Sequence, residues 1–247
     1  MKKHSIWVGF FAFMTLGTFV QAQEKELHHY LSLEDVASSL ELLPPPPAVN
    51  SILFLNDEAQ YRWGKMQRPT PRGDQAVSDA RLYGDGVAKS FSEAFGMTIS
   101  KEGTPEIYKL ISHFREDAGD YATRSAKEHY MRMRPFTFYN EDTCNTEQQQ
   151  GLSTNGSYPS GHTAIGWATA LVLAEINVER QNEILKRGYE IGQSRVICGY
   201  HFQSDVDAGR LVASAVVARL HANKEFMNQL NKAKAEFAKL SGRSGNR

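Results

Sequence analysis

The sequence predicts an all-α fold, a single multi-helix bundle domain, and three observations carry that prediction. No stretch alternates apolar and polar residues for long enough to make a half-buried strand. Apolar residues instead recur at helical spacing in segments punctuated by proline and glycine. One segment opens on Thr104-Pro105-Glu106, a cap residue followed by proline in the first turn, which marks a helix start. The 247 residues suffice for one large domain or two small ones, and no internal repeat divides them.

The elements follow in order. Lys2, Lys3 and His4 make a basic start, Ile6 to Val20 an apolar run, and Val20-Gln21-Ala22 a small-x-small cleavage site. Residues 1–22 therefore read as a secretory signal peptide. A retained anchor is the alternative, but the run is shorter than the about 20 residues a span needs. Residues 23–50 form a loose N-terminal arm. Glu24 to Leu43 has helical tendency, and Pro44 to Pro47 must be extended polyproline. Residues 51–240 hold the domain. Asn50 to Arg68 reads as helix with Asn56-Asp57 as its cap, Thr70 to Gly73 as a turn, and Asp74 to Gly96 as one or two short helices interrupted by Gly84 and Gly86. From Thr104 a helical pattern runs to Arg134, with a break near Gly119, and Pro135 ends it. Phe136 to Ser157 is a long polar loop. Helices follow at Thr163 to Ile176, Val178 to Arg195, Phe202 to His221 and Asn223 to Leu240, with a break at Gly199. Residues 241–247, rich in Gly, Ser and Arg, make a disordered tail.

Formal net charge is zero, which argues against a broad nucleic-acid surface. Signal removal takes away Lys2 and Lys3 and no acids, leaving −2. After the signal, the longest apolar stretch, Ala164 to Ala174, is too short to span a bilayer. The expectation is a soluble exported protein, periplasmic in a cell with two membranes, with no membrane association after cleavage. Two cysteines occur, Cys144 and Cys198. In an oxidising compartment they read as one disulfide, which would stabilise the fold by roughly 4 kcal/mol; two separate buried thiols are the alternative.

Chemistry concentrates between residues 127 and 205. Lys127 and Arg134 are seven residues apart, within about 20° of one helical face; a solvated basic face, with Arg124 and Arg132 nearby, fits the same spacing. Pro159-Ser160-Gly161-His162 is a tight turn opening onto a helix, whose N-terminus favours anions. Ser160 adds a hydroxyl donor, Gly161 a close backbone approach, and His162 a proton donor or acceptor; plain helix capping by Ser160 is the alternative. His201 and Asp205 are one helical turn apart. A carboxylate on Nδ1–H would leave Nε2 as a nucleophile; a metal pair or a surface ion pair has the same spacing. Arg195 enters from across the Gly199 break, and its planar donor fork suits a phosphate.

In joint order, Lys127, Arg134-Pro135, Pro159-Ser160-Gly161-His162, Ser194-Arg195, His201 and Asp205 resemble the signature of the type 2 phosphatidic acid phosphatase superfamily, which includes the vanadium haloperoxidases. The segments Leu43 to Pro47, Gly156 to His162 and Gly192 to Gly199 are similar to the class A bacterial non-specific acid phosphatases, and the likeness covers nearly all the mature chain. The resemblance implies a phosphomonoesterase needing no metal and no cofactor. His201 would be the nucleophile, forming a phosphohistidine, with Asp205 orienting it. Lys127, Arg134, Arg195, Ser160 and the Gly161 N–H would hold the phosphoryl oxygens, and protonated His162 would serve the leaving group and then water. An alcohol replacing water would give phosphotransfer.

The expected partners are small phosphomonoesters, with inorganic phosphate as product, vanadate as inhibitor, and a second copy of the chain as a homo-oligomer. Glu116 lies eleven residues before Lys127, near the same face of a continuous helix. It is a candidate for the substrate pocket, or else a surface carboxylate. Hydrolysis of nucleoside triphosphates on the same site, or vanadate-dependent haloperoxidase activity, are the alternative functions.

Overall fold

A computed structural model describes residues 29–242; residues 1–28, which include the expected signal peptide, and residues 243–247 lie outside the described residues. Among the described residues there are twelve α-helices: α1 (Ser39–Leu42), α2 (Ile52–Gln67), α3 (Pro71–Asp79), α4 (Gly86–Phe95), α5 (Pro105–His113), α6 (Ala122–Tyr130), α7 (Pro135–Phe138), α8 (Gln149–Ser153), α9 (Gly161–Ile176), α10 (Gln181–Ile197), α11 (Gln203–Leu220) and α12 (Lys224–Leu240). No strand occurs among the described residues, as the missing period-2 alternation requires.

The centre is α9. It carries no charged residue before Glu175, and it buries His162, Ile165, Ala168, Val172 and Leu173 on all sides. A helix apolar all round belongs in a core. It packs against α10 and α11. A Cβ on Gly166 would lie 2.6 Å from Ile191, and one on Gly188 2.3 Å from Ala170; these glycines bring α9 and α10 together. Outer helices contribute one face each. Val87, Ala88, Phe91 and Phe95 of α4, and Phe226, Leu230, Ala233 and Phe237 of α12, recur at helical spacing and are buried. Each such large side chain contributes about 1.5–3 kcal/mol.

Several expectations change. The cap of α2 is Ser51, whose hydroxyl accepts from Phe54 N; Asn56 and Asp57 lie inside the helix, and Asp57 is buried. The turn at Thr70 to Gly73 is the start of α3, because Pro71 occupies its first position. The arm is not loose from His29 onward. His29 Nδ1 lies 2.7 Å from Asp117, Tyr30 N donates to the same carboxylate, and Tyr30, Leu31 and Leu43 join the core. Pro44 to Pro47 lies in neither helix nor strand, and Tyr158 OH donates to the Pro44 carbonyl. The polar loop after Pro135 contains α7, α8 and a 3-10 turn at Thr146–Gln148.

The helical pattern from Thr104 is three pieces. A π-helical turn, Asp117–Tyr121, separates α5 from α6, and α6 ends at Met131 with φ 41° in the left-handed region. Arg134 is therefore not on the Lys127 helix. Residues 132–134 are extended, and alternate residues of extended backbone share a side. Arg132 and Arg134 consequently both turn inward while Met133 is exposed.

Candidate active site

The ends of α6, α9, α10 and α11 meet with the extended 132–134 strip and the 155–160 loop. Arg134 is buried, and its guanidinium is fully engaged. Nε donates to the Leu152 and Asn155 carbonyls, Nη1 to the Tyr200 carbonyl at 3.2 Å, and Nη2 to Asn155 and Gly156. Nη1 also lies 2.9 Å from His201 Nε2. An arginine can only donate, so Nε2 accepts and the ring proton of His201 sits on Nδ1. Lys127 Nζ donates to the Gly156 carbonyl at 2.8 Å, beside Arg134.

Arg195 closes the group from α10. Gly199, at φ 79°, turns the chain so that Tyr200 and His201 N–H return to the Arg195 carbonyl. The guanidinium lies 4.0 Å over the Tyr200 ring. Its Nε, Nη1 and Nη2 are all buried without a hydrogen-bond partner. A buried cation with three unpartnered donor atoms is costly unless an anion meets it.

Asp205 is buried at the first turn of α11. Its carboxylate accepts from Phe202 N at 2.8 Å, Arg132 Nη1 at 2.6 Å and the Ser157 hydroxyl at 2.5 Å. It does not meet His201 directly: Oδ2 is 3.5 Å from Nδ1, too long for a strong hydrogen bond. Ser157 Oγ stands between them, 3.2 Å from Nδ1. Arg132 spans to a second buried carboxylate, Asp57, which also accepts from Ser204 N and Oγ. With its oxygens so engaged, Asp205 is a poor metal ligand. Among the described residues no group of three or more His, Cys, Asp or Glu is placed to hold a metal ion.

Ser160 caps α9, accepting from Thr163 N and Thr163 Oγ1. Gly161 packs on the π-helical turn, where a Cβ would lie 2.6 Å from the Gly119 carbonyl. His162 follows, with Nε2 donating to the Ala80 carbonyl at 3.2 Å, which leaves Nδ1 as its open nitrogen. The Ala80 carbonyl is set by its neighbour Asp79, buried and bound by Arg187 and by the Ser194 hydroxyl. Glu116 pairs with adjacent Arg115 at 2.8 Å. Arg115 lies 5.1 Å over the Tyr83 ring, and Tyr83 meets His162 edge-on at 6.0 Å. Glu116 thus stands beside Arg115 and near the Tyr83 that meets His162, out of line with Lys127, since the π-helical turn breaks the helix that would have aligned them.

The cations act on one another. Burial and then Arg134 hold Lys127 well below its ordinary value. Burial pushes Arg134 down to about 10 and Arg195 to about 9. Burial, then Arg134, Lys127 and Arg195, keep His201 well below the usual imidazole range, and therefore neutral. Burial, Arg195 and His201 do the same to His162. The charged His162 expected from sequence thus needs a negative charge brought in beside it. Arg132 goes the other way: burial would lower it, but Asp205 and Asp57 outweigh burial. Lys127, Arg132, Arg134 and Arg195 against Asp57 and Asp205 leave two positive charges, the complement of a phosphate dianion.

Sequence reasoning missed Arg132, Ser157, Asp57 and Asp79. Ser157 stands in the Gly156 to His162 segment, and Arg132 is two residues from Arg134, so the motif and the extended spacing were available signals. Asp57 and Asp79 carry no local signal. Cys144 and Cys198 are joined as a disulfide, packed in a small cluster with Phe136, Tyr200 and Leu152.

Residues 118–227 match the model of the PAP2 superfamily. The chain is 66% identical over 212 residues to the non-specific acid phosphatase of Providencia stuartii, covering 86% of each chain. It is 41% identical over 233 residues to that of Salmonella typhimurium, covering 94% of this chain and 92% of the relative. To the acid phosphatase of Zymomonas mobilis it is 36% identical over 197 residues, covering 80% and 74%. The chain belongs to the non-specific acid phosphatases of the PAP2 superfamily.

Proposed function

We propose that this enzyme hydrolyses phosphomonoesters broadly, without a metal, through a phosphohistidine on His201. The observation that carries the reading is Arg195, whose three unpartnered buried nitrogens adjoin Arg134, Lys127 and a neutral histidine. Arg195, Arg134 and Lys127 hold the phosphoryl oxygens, joined by the Ser160 hydroxyl and Gly161 N–H at the start of α9. Their charge is aimed where the transition state is most negative. Arg134 Nη1 passes from His201 Nε2 to a phosphoryl oxygen as the ester enters, freeing Nε2 for attack.

The proton arrives with the substrate. A phosphate monoester has its second pKa near ~6, so in acid it binds as the monoanion beside neutral His162. The ester proton moves to His162 Nδ1. Nε2 of His201 then bonds to phosphorus, the bond from phosphorus to the ester oxygen breaks, and that oxygen takes the proton from His162. In the second half His162 takes a proton from water, the hydroxide bonds to phosphorus, and the N–P bond breaks to release phosphate. An alcohol in place of water gives phosphotransfer. Export through residues 1–22 to the periplasm, and assembly as a homo-oligomer, belong to the same proposal.

Hydrolysis of a substrate panel in EDTA, with and without orthovanadate, tests the reading. Activity toward several monoesters that survives EDTA and falls with vanadate is expected. Loss of activity in EDTA would contradict it.

A further inference from the structure

We propose that Ser157 is the positioning residue through which Asp205 acts on His201. This rests on the phosphohistidine reading. The His201–Asp205 pair looks direct in sequence, one helical turn apart, yet Oδ2 stands 3.5 Å from Nδ1. Ser157 Oγ lies 2.5 Å from Oδ2 and 3.2 Å from Nδ1, and Ser157 is fully buried. A serine has one hydroxyl proton, and the short contact to an ionised carboxylate places it on the Asp205 side. The Ser157 oxygen therefore presents lone pairs to His201. His201 carries its proton on Nδ1, because Arg134 Nη1 donates to Nε2. The chain is then polarised in one direction, from Nδ1–H to Ser157 Oγ to Asp205.

The far end of this chain is fixed. Arg132 holds Asp205 Oδ1 at 2.6 Å and Asp57 at 2.8 Å, and Ser204 holds Asp57 twice. Ser157 itself is tied by its N–H to the Arg132 carbonyl. Its own carbonyl also favours a protonated His201 ring, so one acceptor near Nδ1 survives loss of the hydroxyl. When Nε2 bonds to phosphorus the ring becomes cationic. The polarised hydroxyl then carries the Asp205 charge to Nδ1–H. The hydroxyl should therefore matter more to the chemical step than to binding.

The experiment is a double-mutant cycle with p-nitrophenyl phosphate, beside alkaline-quench trapping of phosphoenzyme. A hydrogen bond to a charged group is worth about 10–100-fold in an equilibrium or rate, so Ser157→Ala should lower kcat by about that factor with KM within about threefold. Ser157→Thr keeps the hydroxyl and should restore kcat. Asp205→Asn should cost about 100-fold or more in the wild-type background and under about tenfold on Ser157→Ala, because the two residues act as one unit. An equal cost of Asp205→Asn in both backgrounds overturns the proposal, as does equal kcat in the Ala and Thr variants. Where Ser157→Ala fails to fold, Ser157→Cys takes its place, keeping size but only a weak donor. His201→Ala separates the two readings. Phosphoenzyme in that variant sinks the nucleophile itself, whereas its absence beside an unimpaired Ser157→Ala sinks only the relay.

Discussion

Replacing Arg195 with methionine should make the protein more stable and nearly inactive. Methionine is close in length and apolar, so the space over Tyr200 stays filled. Burial brings the Arg195 guanidinium down to about 9, a penalty on the charged form of about 5 kcal/mol. The contact at 4.0 Å over Tyr200 returns about 2 kcal/mol. The net release is about 3 kcal/mol, which for a chain of this size is a rise in Tm of about 6–12 °C. Thermal unfolding at pH 7 in phosphate-free buffer measures it. Added phosphate should raise the wild-type Tm by mass action and leave the variant unmoved. Loss of one oxyanion-type donor costs about 10²–10³ in kcat, and this fork supplies more than one. A variant that is less stable than wild type, or that keeps its activity, would refute the reasoning that Arg195 is held unpaired to meet an anion.

Further outcomes follow from the same geometry. For p-nitrophenyl phosphate, kcat/KM should fall about tenfold per pH unit above ~6, because the monoanion that supplies the His162 proton disappears there; a profile still rising above pH 8 would contradict the proton path. His162→Ala should still be phosphorylated by esters with good leaving groups, with turnover slowed about 10²–10⁴-fold, as rapid-quench kinetics will read. Cys144→Ser with Cys198→Ser should lower unfolding stability by about 4 kcal/mol, measured by urea denaturation, since the bridge closes a loop across 54 positions. Asp79→Asn breaks its pairing with Arg187 and releases the Ala80 carbonyl from its place on His162. It should cost about 3–5 kcal/mol in stability, and hydrolysis of esters with poor leaving groups should fall further than that of p-nitrophenyl phosphate.

The all-α fold and helices α9 to α12 were legible because their apolar periodicity and their proline and glycine punctuation agree. The stretch from Thr104 to Arg134 was not, for two physical reasons. A π-helical turn differs from an α-helix by one residue and carries no distinctive composition. A left-handed methionine at 131 has no sequence mark of the kind glycine leaves. Both bear on the site, since they put Arg134 and Glu116 outside the helix that carries Lys127. The residues of the joint signature were legible as a set. Their partners were less so: Asp57 meets Arg132 across 75 positions of sequence and Asp79 meets Ser194 across 115, and only packing shows that Arg132 and Ser157 come between the motif residues.

Everything turns on His201 as the atom-bearing nucleophile. The direct test is to mix enzyme with 32P-labelled substrate, quench in alkali, reduce the disulfide, and map the label after trypsin digestion. Cleavage after Arg195 and Arg210 yields residues 196–210, in which His201 is the only histidine. Acid-labile label is expected on that peptide, and is lost in His201→Ala. Label on another peptide, or label that persists in His201→Ala, would contradict it.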